Sequence, residues 1–500
     1  GKPAIVSVTS GPGATNAITG VAGAWLDSIP MIVISGQMKR ETLISASNQN
    51  LRQLGFQEFN IIDSVSCMTK YAKLLDNPSL VIQEVVQAFD IMNEGRKGPI
   101  WFDIPLDVQS EFINIESNSE GFIFPTAPLI QTPVFSNSNI LSIIIDKLLE
   151  SARPVLLVGY EVRMDSCVDK FIKLAERLSI PVVTEWNSHD IISDDHHLNC
   201  GRPGTIGNRA GNLVVQQSDF LLCVGCQLSI RQISYVSSNF APKAFKVGVS
   251  VDYAELNKPT INFDLQINCS ISQFIDKFLD LLVASNYQSP FLEWVNWASD
   301  LSDRYPVIQR KHYDDSRGLS VYGFFKILSD FLPAKSITIL ANGAACVAGL
   351  QTVLIKPNQR IYTNAGLSGM GYAICAAIGA SCAQVDQSFP IVCVEGDGSI
   401  QMNLQELQTI FHNRLNIKLF WLNNDGYQSI KLTQKGMFNA LEKGYCGADS
   451  SSGLSCPSAK KIANAYGIPY FSASSISELY SISSFLQSNG PSIMEIILKP

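Results

Sequence analysis

The stretch VEGDGSIQMNLQELQTIFHNRLNIKLFWLNND, residues 394 to 425, decides the reading of this chain. An apolar run ends in a glycine turn, a helical pattern follows, and a second apolar run, IKLFWL, ends in two asparagines. Strand, helix, strand is the unit of a parallel sheet, and such sheets bind ligands beyond the carboxyl ends of their strands. GDGS and NND both fall at such ends. Gly396 and Gly398 let the backbone approach a ligand closely, and the helix expected from Ser399 turns free N–H groups toward an anion. Asp397 alone would repel a phosphate there, but a divalent cation between the two converts repulsion into a bridge. Mg2+ takes oxygen ligands in octahedral geometry, a few from protein and the rest from phosphate and water. Asp397 and the amide oxygen of Asn424 supply two, one helix and one strand apart. Helix capping by Asp397, or an ordinary NNDG turn, explains either motif alone. Their pairing favours a metal and diphosphate site.

Outward from this stretch, short β-rich runs alternate with helical patterns through most of the chain, which predicts parallel α/β layers. AIVSV, MIVISG and PIWFDIP frame a first unit; PVLLVG, PVVTEW, FLLCVG and AFKVGVSVD a second; SITILAN, PIVCVEGD, IKLFWLNN and PSIMEIIL a third. The irregular stretch 107–138 reads as a linker, and another irregular stretch, about 286–318, leads to the third unit. The expectation is three doubly wound parallel-sheet domains, at 1–108, 138–285 and 318–500. The chain opens GKPAIVSVTS, directly into a strand and without an initiator Met, so the first domain is expected to be incomplete.

At 500 residues, 46% hydrophobic and 16% charged with 34 Gly, the composition describes packed globular domains. A net charge of −7 without a basic cluster argues against nucleic acid as a partner. The apolar run 366–383, GLSGMGYAICAAIGASCA, is rich in Gly, Ala and Ser and reads as a buried helix, not a membrane span. The twelve cysteines are scattered, many in apolar runs such as those around Cys375 and Cys393, the pattern of reduced, buried thiols in a cytoplasmic protein. Cys223 and Cys226 have redox or zinc spacing, but no second pair or nearby histidine completes a site.

With GDGS, a helix, a strand and NN in hand, the sequence resembles the thiamine diphosphate enzymes, above all the large subunit of acetolactate synthase (acetohydroxyacid synthase) and related carboligases of cell-surface sugar biosynthesis. The resemblance extends along the chain: VTSGPGATNAITGVAGAWLDSIPMIVISGQ at 8–37 and GFQEFN at 55–60 look like the pyrimidine-binding domain, and SGMGYAICAAIGA at 368–380 like the diphosphate domain. It implies that Asp397, Asn424 and the backbone carbonyl of Gly426 hold Mg2+. Diphosphate would lie against Gly396, Gly398 and Ser399, with the Asn342–Gly343 turn beside it and Tyr427 counted in the same cofactor-binding set. Met370 matches the apolar wedge that bends the cofactor, and the carbonyl of Ser368 the acceptor for its exocyclic amine. Pro12, Gly13, Asn16 and Gln57 would face the pyrimidine or the substrate from a partner subunit, in a homodimer or homotetramer. Met370 as plain core, SGPGATN as a capping loop and Gln57 as a solvated helix residue are the bland alternatives.

The implied activity is a decarboxylating carboligation of pyruvate or a similar 2-keto acid with a carbonyl acceptor, thiamine diphosphate carrying the carbanion chemistry. Three departures from the family bear on it. The glutamate that activates the pyrimidine ring would lie upstream of Gly1, which leaves open a cofactor-binding but inactive subunit. After NND the chain reads GYQSIKLTQKGMFNALEKGYCGADSSSG, without the arginine and tryptophan that select the second keto acid; Tyr427, Gln428 and Lys431 are candidate acceptor contacts instead. GRPGTIGNRAGN and QLSIRQISY differ from the usual FAD-contacting loops, so FAD binding is in doubt. The first histidine is His189, so the pyrimidine-domain segment offers no imidazole to protonate the decarboxylated fragment. This disfavours the other enzyme reading, a simple 2-keto acid decarboxylase.

Overall fold

In the computed structural model, residues 3–498 are described except 48, 114–134, 136–137, 385, 387 and 388. Most of the expected linker 107–138 therefore lies outside the described residues. Two compact units are present, Gly1–Phe135 with Asn268–Ser270, and Ser136–Ile267 with Ile271–Pro500.

The first unit holds a parallel sheet of β1 (Ala4–Val8), β2 (Met31–Gln37), β3 (Tyr71–Leu74) and β4 (Ile100–Pro105) in the order β1-β2-β4-β3. Central β4 is buried almost throughout, as its run IWFDIP requires for a strand covered on both faces.

The second unit holds two parallel sheets. The central one comprises β5 (Pro154–Val158), β6 (Val182–Thr184), β7 (Phe220–Val224), β8 (Phe245–Ser250) and β9 (Leu265–Asn268) in the order β6-β5-β7-β8-β9. The other comprises β10 (Ile337–Leu340), β11 (Arg360–Tyr362), β12 (Ile391–Gly396), β13 (Ile417–Asn423), β14 (Tyr470–Ala473) and β15 (Ser492–Ile497), in the order β11-β10-β12-β13-β15-β14. The order reverses between β10 and β12, the crevice where such sheets take ligands. Within this unit the two sheets' domains are tied by ion pairs: the buried Asp190 carboxylate holds Arg163 and Arg360, and buried Arg202, itself bonded to Asp194, donates to the carbonyls of Leu350 and Val353.

The three parallel-sheet domains are as expected, with several corrections in detail. β3, β9, β11 and β14 were not anticipated; each is three or four residues long and sits at a sheet edge, where few side chains need be apolar. The stretch 286–318 is not wholly irregular, because Leu292–Arg304 is helical and buries Trp294, Val295, Ala298 and Leu301 along one face. Run 366–383 does contain a helix, Tyr372–Ala383, but it buries only Ala373, Ile374, Ala377 and Ser381; Cys375 lies on the opposite face and is exposed, unlike buried Cys393. The helix expected from Ser399 is a 3-10 turn, Ile400–Asn403, followed by an α-helix at Glu406–His412. Among the described residues, no helix is long and apolar enough to cross a membrane.

Candidate cofactor and metal site

Strand register places the two motifs side by side. β12 and β13 run parallel with Gly396 opposite Leu422, and the Asp397 N–H donates to the Leu422 carbonyl at 2.9 Å. Asp397 therefore leaves its strand level with the asparagines that end the next one. Its carboxylate is buried: Oδ1 accepts from the Gly398 amide at 2.8 Å, and Oδ2 from the amides of Asn424 and Gly426 at 3.1 and 3.0 Å. Burial raises its pKa above the ordinary value, and these three amides work against the rise.

The two asparagines differ. Asn423 donates its side-chain amide to Glu495 at 2.7 Å and accepts from the Asp425 amide, so it is structural. The Oδ1 of Asn424 is buried with no hydrogen-bond partner. Such an orphan costs about 1–3 kcal/mol unless a ligand satisfies it. Beside an aspartate it forms the hard oxygen pair that Mg2+ takes. The residues present thus fit a divalent cation. Gly426, with φ of 106°, has its position fixed by close backbone packing, since a Cβ would lie 2.5 Å from the Ala448 carbonyl.

The surrounding segments converge on the same crevice. Ser399 Oγ accepts from the Gly371 amide at 3.0 Å, and buried Glu395 accepts from the amides of Ala373 and Ile374 at 2.9 and 3.3 Å. Burial pushes the Glu395 carboxyl up to about 7. These bonds tie the GDGS turn to the start of helix Tyr372–Ala383, and so to Met370 and Ser368. Met370 is half-buried in the turn before that helix, not on its first residue. Ser368 holds a left-handed φ of 55°, and its carbonyl accepts from Asn342 Nδ2 at 3.1 Å. Asn342 and Gly343 follow β10 across the switch point from Asp397. Backbone strain of this kind concentrates at functional sites. Tyr427 packs its ring on Gly398, where a Cβ would come within 2.3 Å of it.

In the first unit, Pro12, Gly13 and Asn16 form the start of the helix Pro12–Leu26, with Pro12 and Asn16 exposed. Gln57 is not on a helix: it is an exposed turn residue with φ of 63°, and its carbonyl stands where a Cβ at Gly11 would come within 2.5 Å. The two segments singled out in the sequence are thus adjacent here.

The candidate acceptor contacts part ways, and further groups come into view. Lys431 is committed to Asp449 at 2.8 Å, which removes it as a free acceptor contact, whereas Gln428 Oε1 is buried without a partner. The Arg231 guanidinium lies 5.9 Å from the Trp186 ring, and its charge reaches Cys346 in the first turn after Gly343. No local motif marks Arg231. In the central sheet, Glu185 is fully buried and accepts from the amides of Gln227 and Leu228 at 2.9 and 2.5 Å, while Glu161 accepts from the Ser250 hydroxyl and the Val251 amide. Cys223 and Cys226 are both buried, and Cys226 Sγ donates to the Leu157 carbonyl.

Residues 1–63, 141–278 and 341–496 match, respectively, the N-terminal TPP binding, central and C-terminal TPP binding domains of the thiamine pyrophosphate enzymes. The chain is 30% identical over 450 residues to acetolactate synthase isozyme 1 large subunit of Escherichia coli, covering 89% of this chain and 75% of the relative. It is 25% identical to the acetolactate synthase large subunit of Lactococcus lactis, covering 100% of this chain and 82% of the relative, and 28% identical to acetolactate synthase 2, chloroplastic, of Nicotiana tabacum, covering 100% and 73%.

Proposed function

Because the chain belongs to the thiamine diphosphate enzymes, with the acetolactate synthase large subunits as its relatives, we propose that it is a decarboxylating carboligase acting on pyruvate or a similar 2-keto acid. The observation that carries the cofactor reading is the buried, unpartnered Oδ1 of Asn424 beside the Asp397 carboxylate. In this reading Asp397, Asn424 and the Gly426 carbonyl hold Mg2+. Gly396, Gly398, Ser399 and the Asn342–Gly343 turn receive the diphosphate, with Tyr427 packed against them. Met370 would back the cofactor, and the Ser368 carbonyl, oriented by Asn342, would accept from its exocyclic amine. Pro12, Gly13, Asn16 and Gln57 serve the pyrimidine and substrate end from a second copy of the chain, in a homodimer or homotetramer. When bound, thiamine diphosphate supplies the electron sink for loss of carbon dioxide from the keto acid.

The fate of the decarboxylated fragment depends on the protein's own groups. Arg231, whose charge reaches Cys346 just after Gly343, is a candidate partner for a keto-acid carboxylate, and Gln428 Oε1 awaits a donor such as an acceptor hydroxyl. Histidine is absent from residues 1–188, which leaves the first unit without imidazole proton donors and favours capture by a second carbonyl over protonation.

We also propose that the bonding of two central-domain loops weighs against FAD, the cofactor that the sequence leaves in doubt. The GRPGTIGNRAGN and QLSIRQISY loops bond to one another: Thr205 donates to the Arg231 carbonyl, Gln232 to the Pro203 carbonyl, and Asn208 and Asn212 brace the glycine turns. Gln232 Oε1 is the exception, buried without a partner. The free state of all twelve thiols suits the cytoplasm.

Product analysis tests the reaction. Full-length protein with thiamine diphosphate and Mg2+ is incubated with labelled pyruvate, alone and with a keto sugar nucleotide, and the products are identified by mass spectrometry. A coupled product in which the labelled acetyl group joins a second carbonyl is expected. Acetaldehyde as the main product under both conditions would overturn carboligation in favour of simple decarboxylation.

A further inference from the structure

The loop that presents Gln57 is built around the side chain next to it. Glu58 Oε1 accepts from the Ile44 amide at 2.6 Å, and its Oε2 accepts from the amides of Leu54 and Gly55 at 2.9 and 3.0 Å. One carboxylate thus gathers three backbone N–H groups from both ends of the 44–58 loop, each bond strengthened by its charge. The Glu58 amide in turn donates to the Gly55 carbonyl at 3.1 Å. Gly55 cannot carry a side chain, for a Cβ would stand 2.9 Å from the Thr42 carbonyl and from Met38.

On the other side of Gln57 the chain is fixed to the sheet. The Phe59 carbonyl accepts from Gln37 Nε2 at 3.0 Å, and the same amide group donates to buried Asp103 at 2.9 Å. Asp103 also accepts from Ser35 at 2.6 Å, and Ser35 from Trp101 Nε1 at 2.9 Å. Gln57 therefore stands between two anchors, one a side chain holding the loop and one a carbonyl held to β2 and β4. Its left-handed φ of 63° is a conformation that a non-glycine residue keeps only where its surroundings over-determine it. Phe56, beside it, is 81% exposed, while the Gln57 backbone lies against Gly11.

We propose that Glu58 is a positioning residue for Gln57, holding its backbone in the left-handed conformation that aims the side chain at the substrate. This rests on the reading of Gln57 as a substrate-facing residue. Both Glu58 oxygens are taken by amides, so Glu58 acts through the loop and not on the substrate.

Gln57→Ala, Glu58→Gln, Glu58→Asp and the double variant Gln57→Ala/Glu58→Gln, each in the full-length protein, test this. Glu58→Gln keeps the size but turns one accepting oxygen into a donor facing donors. It is expected to lower kcat roughly tenfold, with KM for pyruvate and thiamine diphosphate affinity within about twofold. Glu58→Asp should fall between it and the parent. The double variant should be no slower than Gln57→Ala alone, because a residue that acts only through Gln57 has nothing left to position. Independently of activity, hydrogen exchange at the Ile44, Leu54 and Gly55 amides should accelerate about tenfold or more in Glu58→Gln and stay unchanged in Gln57→Ala. Losses that multiply in the double variant, or a Glu58→Gln enzyme at parental turnover while Gln57→Ala is impaired, would overturn the positioning role. A fully active Gln57→Ala would instead remove the reading beneath it, and the proposal with it.

Discussion

At the carboxyl end of β13 the amide oxygen of Asn424 is buried without a partner, whereas at the carboxyl ends of β6 and β7 Glu185 takes the amides of Gln227 and Leu228 into bonds of its own. Both sheets are parallel and both carry a buried acidic residue just past a strand end. In the diphosphate sheet the acid, Asp397, leaves a hard oxygen beside it unsatisfied. In the central sheet the acids, Glu185 and Glu161, serve as internal ligands to the backbone groups that an outside anion would otherwise meet. The difference teaches that a doubly wound sheet provides the place for a ligand but not the need for one. That need is read from which polar groups are left over.

The largest expected effect breaks the open end. Asp397→Ala removes the only full negative charge that the protein supplies to the proposed cation shell, and it should weaken Mg2+-dependent thiamine diphosphate binding by at least about a hundredfold in calorimetric titration. Chelation of the metal from the parent protein should do the same. Unchanged affinity in the variant would remove the site from this crevice.

The next breaks the closed end. Glu185→Ala leaves two backbone donors without their acceptor and should cost about 2–4 kcal/mol of stability, seen as a lower denaturation midpoint. It should bind thiamine diphosphate as the parent does, and neither protein should show flavin absorbance after purification or after incubation with FAD. Stoichiometric flavin in the parent would mean that the central strand ends are open after all.

Asn424→Ala is the mirror image, with a smaller effect. A neutral oxygen contributes less to a cation than a carboxylate, so cofactor affinity should fall about tenfold, roughly 1.4 kcal/mol. Because the lost atom had no protein partner, stability without cofactor should stay the same or rise. A large stability loss would show that Asn424 is structural, as Asn423 is.

How much of this was legible depends on where the signal resides. GDGS and NN stand out because glycine, aspartate and asparagine at strand ends interrupt continuous apolar runs, and β12, β13 and β15 were readable for the same reason. Edge strands such as LQIN and RIY carry too little apolar pattern to be seen. The helix Leu292–Arg304 hid its buried stripe among serines and aspartates. Distinguishing Asn424 from Asn423 required β15, since Glu495, far along the chain, is what occupies Asn423. Arg231 and the Lys431–Asp449 pair are likewise contacts that no local pattern encodes.

The last effect concerns pH. Glu185 is pushed up to about 7, chiefly by burial, against the pull of the Gln227 and Leu228 amides and of Lys258. Its folded pKa thus lies above the ordinary glutamate value near 4.3, so between roughly pH 4.5 and 7 the folded protein holds a proton that the unfolded chain has released. The contribution to stability is fully present below that window and is lost as pH rises through it, by about 1–3 kcal/mol at most. Glu395, raised to about 7 by burial in the diphosphate sheet, acts in the same direction. Glu185→Gln cannot titrate, so its midpoint should fall less than the parent's between pH 5 and pH 7.5, with the slope reduced but not abolished because Glu395 remains. Thiamine diphosphate affinity should keep its parental pH dependence, since Glu185 belongs to the closed sheet. A variant with the parent's full stability slope would show that Glu185 stays ionised in the fold, its charge held by the two amides it caps.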